Sequence, residues 1–284
     1  MTFKKIGFVT DSVADVPPEL VKKWNIRVVP IYVNYGGRSY LDDGIQLVRE
    51  DYYDLLPTQN PLPTTAAPSP GMAQEIIHRT FAEYDHLVII TIPQQLSATY
   101  NVLRLAVQDL PADRVTLIDG GGVSLGIGWQ VVAGAEVAAE TGDLAAVLDA
   151  IAQARDHTKF AAMLAGLEYL RRSGRISMAS AGLGTLLQIK PIVTVTDGAV
   201  VPLAKVRTAN RAKAELVEMA RAVGAIDKLA ILHTNNLEDA AWLHDQLADI
   251  APGDTYTVNV NPALGTHVGP QAVGFAALSK RWRR

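Results

Sequence analysis

His86-Leu-Val-Ile-Ile-Thr91 is the stretch that decides the fold class of this 284-residue chain. It is a continuous apolar run, which is typical of a parallel strand covered on both faces. The loop 92–96 follows it, and Ser97-Ala-Thr-Tyr100 then opens a helix with Ser97 as its predicted N-cap. A strand, a loop and a helix in this order begin a βα unit. Because ligands bind at the carboxyl ends of strands in open α/β sheets, the Ser97 hydroxyl is a candidate binding group.

The same unit recurs before and after this stretch. Ile6–Val9 predicts a first buried strand, which ends in Thr10-Asp11-Ser12, and Arg27–Val33 predicts a second strand. Arg114–Asp119 is a further strand, and it leads through a run of glycines into a helix over residues 125–139. Strands that alternate with helices favour an α/β fold. The first half is therefore predicted to hold a mostly parallel sheet with flanking helices.

The second half of the chain has a different pattern. Lys190–Thr196 and Ala199–Val206 are two alternating runs joined by Asp197-Gly198, which is the clearest hairpin signal in the sequence. Antiparallel pairing in this half predicts an α/β domain with a mixed sheet. The predicted architecture is therefore α/β with two domains, residues 1–155 and residues 156–284.

Composition limits the possible functions. Hydrophobic residues are 49% and charged residues 19%, enough for a large core, and the net charge of −3 argues against nucleic-acid binding. The absence of cysteine excludes disulfides, thiolate metal sites and a cysteine nucleophile, and it fits a reducing cytoplasm. The most apolar window, Val123–Ala139, contains Gln130 and Glu136 and is too short and polar to span a bilayer. A cytoplasmic protein without stable membrane insertion is predicted.

Motifs of the common enzyme classes are missing from the sequence. There is no G-x-S-x-G elbow and no H-E-x-x-H, and the six histidines are scattered, so neither a serine hydrolase nor a metal site is indicated. Gly120-Gly-Gly-Val-Ser124 fits neither a P-loop nor G-x-G-x-x-G. Asp42 and Asp43 are interpreted as solvated turn residues. No catalytic residue, metal ion or cofactor is predicted.

The strongest functional signal is Asn261–Gly274, NPALGTHVGPQAVG. Its glycines and prolines frame His267 in a predicted loop, where an imidazole can donate, accept or carry a proton. Hydroxyls elsewhere, notably Thr65 in the proline-rich loop 57–71, and the cationic loop Arg171–Arg175 complete a set that suits an anionic headgroup. For each of these residues, a purely structural role in a cap or turn stays open.

Seven segments, in their order and spacing, resemble the DegV family of bacterial fatty-acid-binding proteins, which includes the FakB-type subunits of fatty acid kinase. The segments are Thr10-Asp11-Ser12, Thr65–Pro70, Ser97-Ala-Thr-Tyr100, Val115–Gly128, Leu167–Ile176, Lys190–Gly198 and Leu264–Gly274. The resemblance covers the chain from about residue 4 to about residue 280. This sequence departs from the family at two motifs. The family usually reads T-S-Q-P-S, and here Ala66 and Ala67 replace the serine and the glutamine. The family usually reads S-G-T-Y, and here Ala98 replaces the glycine.

The resemblance implies a lipid carrier rather than a self-sufficient enzyme. In such a protein one long-chain fatty acid, for example hexadecanoate, lies in a closed tunnel with its carboxylate toward the domain junction. A separate ATP-dependent kinase subunit phosphorylates the carboxylate to an acyl phosphate. Carried over by motif, Thr65 and Ser97 would hydrogen-bond the carboxylate. The residues that would flank the exposed headgroup are His267, Thr266 and Arg175, with Arg172 as the alternative arginine of the same loop.

An enzyme is the alternative hypothesis. In it, His267 acts as the general base of a stand-alone phosphotransferase or hydrolase of a small anionic substrate. Such an enzyme needs a nucleophile or a metal ion, and the sequence indicates neither. A regulator that senses fatty acid would share the carrier's ligand and differ from it only in its partner.

Overall fold

The computed structural model describes residues 5–176 and 189–283. In this part of the chain, thirteen strands form three sheets. The strands are β1 (Ile6–Asp11), β2 (Arg27–Val29), β3 (Tyr32–Tyr35), β4 (Arg38–Leu41), β5 (Thr64–Ala66), β6 (His86–Thr91), β7 (Val115–Asp119), β8 (Thr158–Met163), β9 (Lys190–Thr196), β10 (Ala199–Val206), β11 (Ile226–His233), β12 (Thr255–Asn259) and β13 (Val273–Ser279).

The α-helices are α1 (Pro18–Lys23), α2 (Arg49–Leu55), α3 (Pro70–Phe81), α4 (Thr99–Ala106), α5 (Leu125–Thr141), α6 (Leu144–His157), α7 (Glu168–Arg172), α8 (Ala209–Arg221), α9 (Leu237–Leu247) and α10 (Pro262–Val268). Within the described ranges, none of the helices has both the length and the apolar character needed to cross a membrane.

The first sheet has the strand order β2-β1-β6-β7 and is parallel throughout. Its strand β6 is fully buried, as the apolar run 86–91 predicts. Successive side chains of a strand point to opposite faces. Leu87 and Ile89 therefore pack with α3 and α4, whereas Val88 and Ile90 pack with α5. The predicted parallel sheet with flanking helices is confirmed.

Arg27–Val33 does not form one strand, and this prediction is wrong. Pro30 has no N–H to donate to a sheet ladder, and the chain divides there. Strand β2 stays in the parallel sheet, whereas β3 joins a small antiparallel sheet of order β4-β3-β5. The proline-rich stretch 57–71 contains β5, in line with its prediction as a structured loop. This small sheet carries Thr65, which pairs with Val33.

The second sheet has the strand order β10-β9-β8-β13-β11-β12. Strands β9 and β10 form the antiparallel hairpin predicted around Asp197-Gly198, and β11 and β12 are a parallel pair. Helices α8 and α9 contribute Leu216 and Leu243 to a core cluster with Phe275 of β13. The predicted α/β fold with a mixed C-terminal sheet is confirmed.

Helix α5 lies between the two larger sheets. Ile127 and Val131 pack in the core of the first sheet, whereas Trp129 clusters with Ala230 and Ala276 of the second. The Trp129 Nε1 donates to the Ala276 carbonyl oxygen at 3.1 Å. A helix that is apolar on all sides is expected where it is buried on all sides. The division at residue 155 stays a prediction: it follows the sheets, but α5 contributes to the core on both sides of it.

Candidate functional site

The interpretation of Asn261–Gly274 as a loop around His267 is wrong, because residues 262–268 form helix α10. The Asn261 side chain caps this helix by accepting the Leu264 N–H at 2.8 Å. Pro262 occupies the first helical position, where no N–H is needed. Both signals are present in the sequence. His267 therefore lies in the last turn of a helix whose start is well fixed.

Asp15 joins the start of α10 to the first sheet. Its buried carboxylate accepts from the Asn261 backbone N–H at 3.0 Å and the Asn261 Nδ2 at 2.9 Å, and from the Ser124 hydroxyl at 2.8 Å. Arg49 lies 3.2 Å away and offsets part of the cost of burying this charge. Burial nevertheless raises the pKa of Asp15. One carboxylate thus connects the end of β1, the start of α5 and the start of α10.

Asp42 is a second buried carboxylate near the start of α10, and its prediction as a solvated turn residue is wrong. Its N–H donates to the Ile31 carbonyl oxygen at 2.9 Å, and its side chain accepts from the Ser12 hydroxyl at 3.0 Å and from the Ala263 N–H. Burial raises the pKa of Asp42 to about 7. Asp43 is exposed and accepts two backbone N–H groups of the following turn. The sequence alone does not indicate which of two adjacent aspartates faces inward.

An apolar cavity of about 70 Å³ lies between the loops that follow β1 and β6 and the second sheet. Fifteen of the nineteen described residues that line it are apolar. Phe160, Ala162 and Leu164 line it from β8 and the residue after it, because every second residue of a strand faces the same side. Val13 and Ile92 line it from the side of the first sheet. Such walls suit a hydrocarbon chain better than a polar metabolite.

Four polar side chains line the same cavity: Thr65, Ser97, Arg175 and His267. All four are among the six site residues predicted from the sequence. Thr65 reaches the cavity from β5 and His267 from α10, and Thr65 Oγ1 lies 2.9 Å from His267 Nε2. This hydrogen bond joins residues that are 202 positions apart. A few convergent polar groups in an apolar wall are the usual composition of a ligand pocket.

Ser97 lines the cavity without being the N-cap of α4, so that prediction is wrong by one residue. The N-cap is Ala98, and the Ser97 oxygen accepts the Thr99 N–H at 3.2 Å. The hydroxyl still lies just after β6, where a parallel sheet binds its ligands. Arg175 lies in the loop after α7, and its Nη1 donates to the Ser173 carbonyl oxygen at 2.6 Å. Its guanidinium supplies the positive charge that an anionic ligand needs.

His267 is neutral at physiological pH. The residue as a whole is partly accessible, but its Nδ1 is buried and has no hydrogen-bond partner among the described residues. This burial, with a smaller effect from the Arg175 charge, lowers the pKa of His267 to about 3. The imidazole is therefore a neutral hydrogen-bonding group and not a cation. A base with so low a pKa accepts a proton poorly from a reacting group.

Arg172 and Thr266, which were also expected to flank the headgroup, do not line the cavity. Arg172 is half exposed and lies 3.8 Å from Glu168. Thr266 is buried, and its Oγ1 lies 2.6 Å from the Tyr52 hydroxyl and donates to the Pro262 carbonyl oxygen at 2.8 Å. Thr266 therefore fixes α10 to α2. Among the described residues, no group of three or more histidines and acidic residues could hold a metal ion.

Most of the cavity wall was not predicted from the sequence. Phe160, Ala162 and Leu164 repeat at a period of two, but this period does not show which face of a strand borders a cavity. Gly128 and Gly134 of α5 pack closely against neighbouring elements and leave no space for a ligand. A Cβ on Gly128, for example, would overlap the Ala14 carbonyl oxygen. No residue of α5 lines the apolar cavity.

Sequence comparison identifies relatives over nearly the whole chain. Residues 5–280 match the model of the DegV family, which is described as a family of uncharacterised proteins. A DegV domain-containing protein of Streptomyces coelicolor is 32% identical over 283 residues, which cover 98% of this chain and 99% of the relative.

Solved structures with the same fold come from the same family. A DegV family protein from Thermus thermophilus, whose structure is described as showing fatty acid binding, superposes with a TM-score of 0.89 at 31% identity. The alignment covers 97% of this chain and 99% of the other. A fatty acid binding DegV family protein from Streptococcus agalactiae superposes with a TM-score of 0.85 at 26% identity, and the alignment again covers 97% and 99%.

Proposed function

This chain belongs to the DegV family, and on that premise we propose that it binds one long-chain fatty acid, such as hexadecanoate, in its apolar cavity. It then presents the carboxylate to an ATP-dependent kinase subunit, which transfers the γ-phosphoryl group of ATP to a carboxylate oxygen and releases ADP. The fatty acid binding of the Thermus thermophilus and Streptococcus agalactiae relatives supports the first step. The protein itself acts as a carrier and not as a catalyst.

The observation that carries this proposal is the composition of the cavity wall, with fifteen apolar and four polar lining residues. Burial of an acyl chain against apolar walls contributes about 0.8 kcal/mol per methylene. A carboxylate that leaves water must be hydrogen-bonded, and Thr65, Ser97 and the Arg175 guanidinium supply donors. A ligand with one anionic head and a long apolar tail uses both parts of this wall.

The size of the cavity determines what must happen when the tail enters. Pockets for ligands of comparable size usually measure roughly 300–1,000 Å³, whereas this cavity measures about 70 Å³. The apolar side chains of the wall must therefore move apart when a long acyl chain binds. The free energy gained from burial of the tail must exceed the cost of this rearrangement, and the complex should unfold at a higher temperature than the free protein.

His267 is proposed to orient Thr65 and not to carry charge. A buried N–H without a partner is costlier than an unpaired acceptor, so Nε2 should carry the proton and donate to Thr65 Oγ1 while Nδ1 stays unprotonated. The Thr65 hydroxyl proton is then free to point toward the carboxylate. Arg175 is proposed to offset the negative charge of the head, which increases when the carboxylate becomes an acyl phosphate.

The test is the identity of the lipid that accompanies the purified protein. Native mass spectrometry and solvent extraction should show about one long-chain acid for each protein molecule. Incubation of this complex with Mg-ATP and a fatty acid kinase subunit should form an acyl phosphate that hydroxylamine traps as a hydroxamate. A lipid-free protein that takes up no labelled hexadecanoate would overturn the binding step, and a loaded protein that yields no hydroxamate would overturn the kinase step alone.

The Thr65–His267 hydrogen bond at 2.9 Å is the one observation that favours the enzyme alternative, because it has the geometry of a nucleophile and its base. The third member of such a constellation, a group that orients the base through its other nitrogen, is not found among the described residues. The low pKa of His267 also weakens it as a general base. Hydrolysis of acyl or phosphoryl esters by the protein alone, lost in Thr65→Ala, would establish this alternative.

A further inference from the structure

Phe160 borders three separate spaces in the protein. Its side chain lines the apolar cavity, a smaller cavity of about 30 Å³ that we call the rear cavity, and a cleft that is open to solvent. The rear cavity lies between α10 and strands β11 and β13, and Leu232, Val260 and Ala272 line it without touching the apolar cavity. The residues that line both cavities and separate them are Phe160, Ala162, Leu164, Leu264 and Val268.

Among these shared residues, Phe160 is the one with space to move. All five are buried or partly buried and Phe160 packs against two core clusters, but of the five only Phe160 also lines the open cleft. The cleft has a volume of about 520 Å³, and Gly126 lines it without a side chain, so it can receive the ring. Rotation of the ring toward the cleft would therefore join the two cavities without disturbing the sheet.

The open cleft is a poor place for an acyl tail. Its wall includes Arg155, Asp156, Lys159 and Asp197, and Arg155 is paired with Asp197 at 2.6 Å. Methylenes in this cleft would remain beside water and charged groups, so they would gain little from the hydrophobic effect. The accessible wall of the rear cavity is almost entirely apolar, so a methylene that enters it contacts apolar atoms instead of charged groups.

We propose that Phe160 determines the longest acyl chain that the protein accepts, because it controls whether the end of the tail passes from the apolar cavity into the rear cavity. The proposal rests on the proposed fatty acid binding and adds the path of the tail. Acyl chains that are too short to reach the Phe160 ring occupy only the apolar cavity. Longer chains displace the ring and place their terminal methyl group beside Ala272, beneath α10.

The test compares the affinities of saturated fatty acids from about ten to about twenty carbons. Each methylene that becomes buried should strengthen binding about fourfold, up to a limiting length beyond which affinity no longer rises. Phe160→Ala should move this limit to longer chains by about two methylenes or more, since the partition is removed. Ala272→Leu fills the rear cavity alone and should move the limit to shorter chains. Ala272→Leu should bind the shortest acids like the wild type, because Ala272 lines the rear cavity and not the apolar cavity.

Val201→Phe is the matched control, because Val201 lines the open cleft alone and is 38% exposed. It adds apolar volume outside the buried path and should leave the limiting length unchanged. Phe160→Leu and Ala272→Val repeat the test with smaller changes where the larger substitutions impair folding. The proposal is overturned if the limiting chain length is unchanged in both the Phe160 variants and the Ala272 variants. It is also overturned if Val201→Phe changes that length. A wild-type protein that binds no acid of any length refutes the proposed function instead.

Discussion

Thr65 and His267 form a hydrogen-bonded pair, and separate substitutions distinguish their roles. Thr65→Ala removes a donor to a charged carboxylate, worth about 1.5–3 kcal/mol, so fatty acid affinity should fall about tenfold or more. His267→Ala keeps that hydroxyl and removes only its orienting contact, so affinity should fall less than about threefold while phosphorylation is strongly impaired. Titration with a fluorescent fatty acid measures the first effect, and hydroxamate formation measures the second.

Three further variants extend this experiment. Ser97→Ala should weaken binding in the same way as Thr65→Ala, because both hydroxyls line the cavity. Arg172→Ala is the matched control for Arg175→Ala, since Arg172 is half exposed and lies outside the cavity. If His267→Ala abolished binding, the imidazole itself would hold the carboxylate, and its assignment as an orienting group would be wrong.

Asp42 should make the protein less stable as the pH rises. Its pKa is about 7 in the folded protein, above the ordinary 3.8, because the carboxyl group is buried. Its stabilising contribution is therefore complete below pH 3.8 and is lost as the pH rises through about 7. Asp42→Asn stays neutral, so its stability relative to the wild type should increase between about pH 4 and about pH 8 by up to roughly 4 kcal/mol. Urea unfolding at several pH values measures this difference.

The neighbouring Asp43 supplies the control for this prediction. Its carboxylate is exposed, so Asp43→Asn removes the same charge without changing a buried carboxyl group, and it should not reproduce the gain of roughly 4 kcal/mol expected for Asp42→Asn. A pH-independent difference for Asp42→Asn would mean that the hydrogen bonds from Ser12 and Ala263 keep the buried carboxylate ionised.

At the scale of single residues, the sequence reveals chemistry but not orientation. The hydroxyls of Thr65 and Ser97 and the imidazole of His267 are residue types that bind anions, and their motifs are recognisable. Whether Asp42 or Asp43 faces the core depends on the register of β4 and on the Ile31 carbonyl oxygen, which only the folded chain provides. The neutral state of His267 likewise depends on burial by distant segments.

Helix α10 is placed by close contact with α2, and one substitution tests this placement. A Cβ on Gly265 would overlap the ring and hydroxyl of Tyr53. Tyr53 cannot yield easily, because it is 2% exposed and its hydroxyl donates to the Val260 carbonyl oxygen at 2.9 Å. Gly265→Ala should therefore cost about 1–3 kcal/mol of stability. It should also weaken fatty acid binding, because α10 carries four of the residues that line the cavity.

Gly166→Ala is the control for this prediction, since a Cβ there would meet no atom within 4 Å. Guanidinium unfolding and fatty acid titration of both variants give the two readouts. Equal stability and equal affinity of the two variants would show that α10 tolerates displacement and that its contact with Tyr53 does not position His267.

At the scale of elements, long and strongly patterned segments are predictable and short ones are not. The apolar run of β6 and the Asp197-Gly198 hairpin are confirmed because burial on both faces and a two-residue turn leave direct sequence signals. The seven-residue α10 is too short to show helical periodicity. Its start was nevertheless marked by Asn261 and Pro262, and a search for caps would have found it.

At the scale of the whole molecule, we expect α5 to make the two larger sheets unfold as one unit. Trp129 is fully buried against the second sheet, while Ile127 and Val131 belong to the core of the first. Trp129→Ala should cost about 3–5 kcal/mol, and the loss should appear in a single unfolding transition that includes both sheets. Circular dichroism and tryptophan fluorescence should report coincident midpoints. Two separate transitions in the wild type would show that the parts on either side of residue 155 are independently stable domains.

The overall architecture could be predicted from the sequence because it depends on the order of strands and helices. The dual role of α5 could not be predicted, because an apolar helix has the same sequence pattern whether it packs on one sheet or on two. For the same reason the boundary at residue 155 is only a proposal for how the chain divides.

The position of α5 also has a consequence for the time a bound molecule stays in the protein. If the two sheets moved apart as rigid bodies, Trp129 would leave the Ala276 carbonyl oxygen, and an apolar helix face would enter water. We expect such an opening to cost nearly as much as global unfolding and to be correspondingly rare. On the proposed function, a bound lipid should therefore leave through local movements of a few wall side chains. Its residence time should then be long, and set by the mobility of the wall more than by the overall stability of the fold.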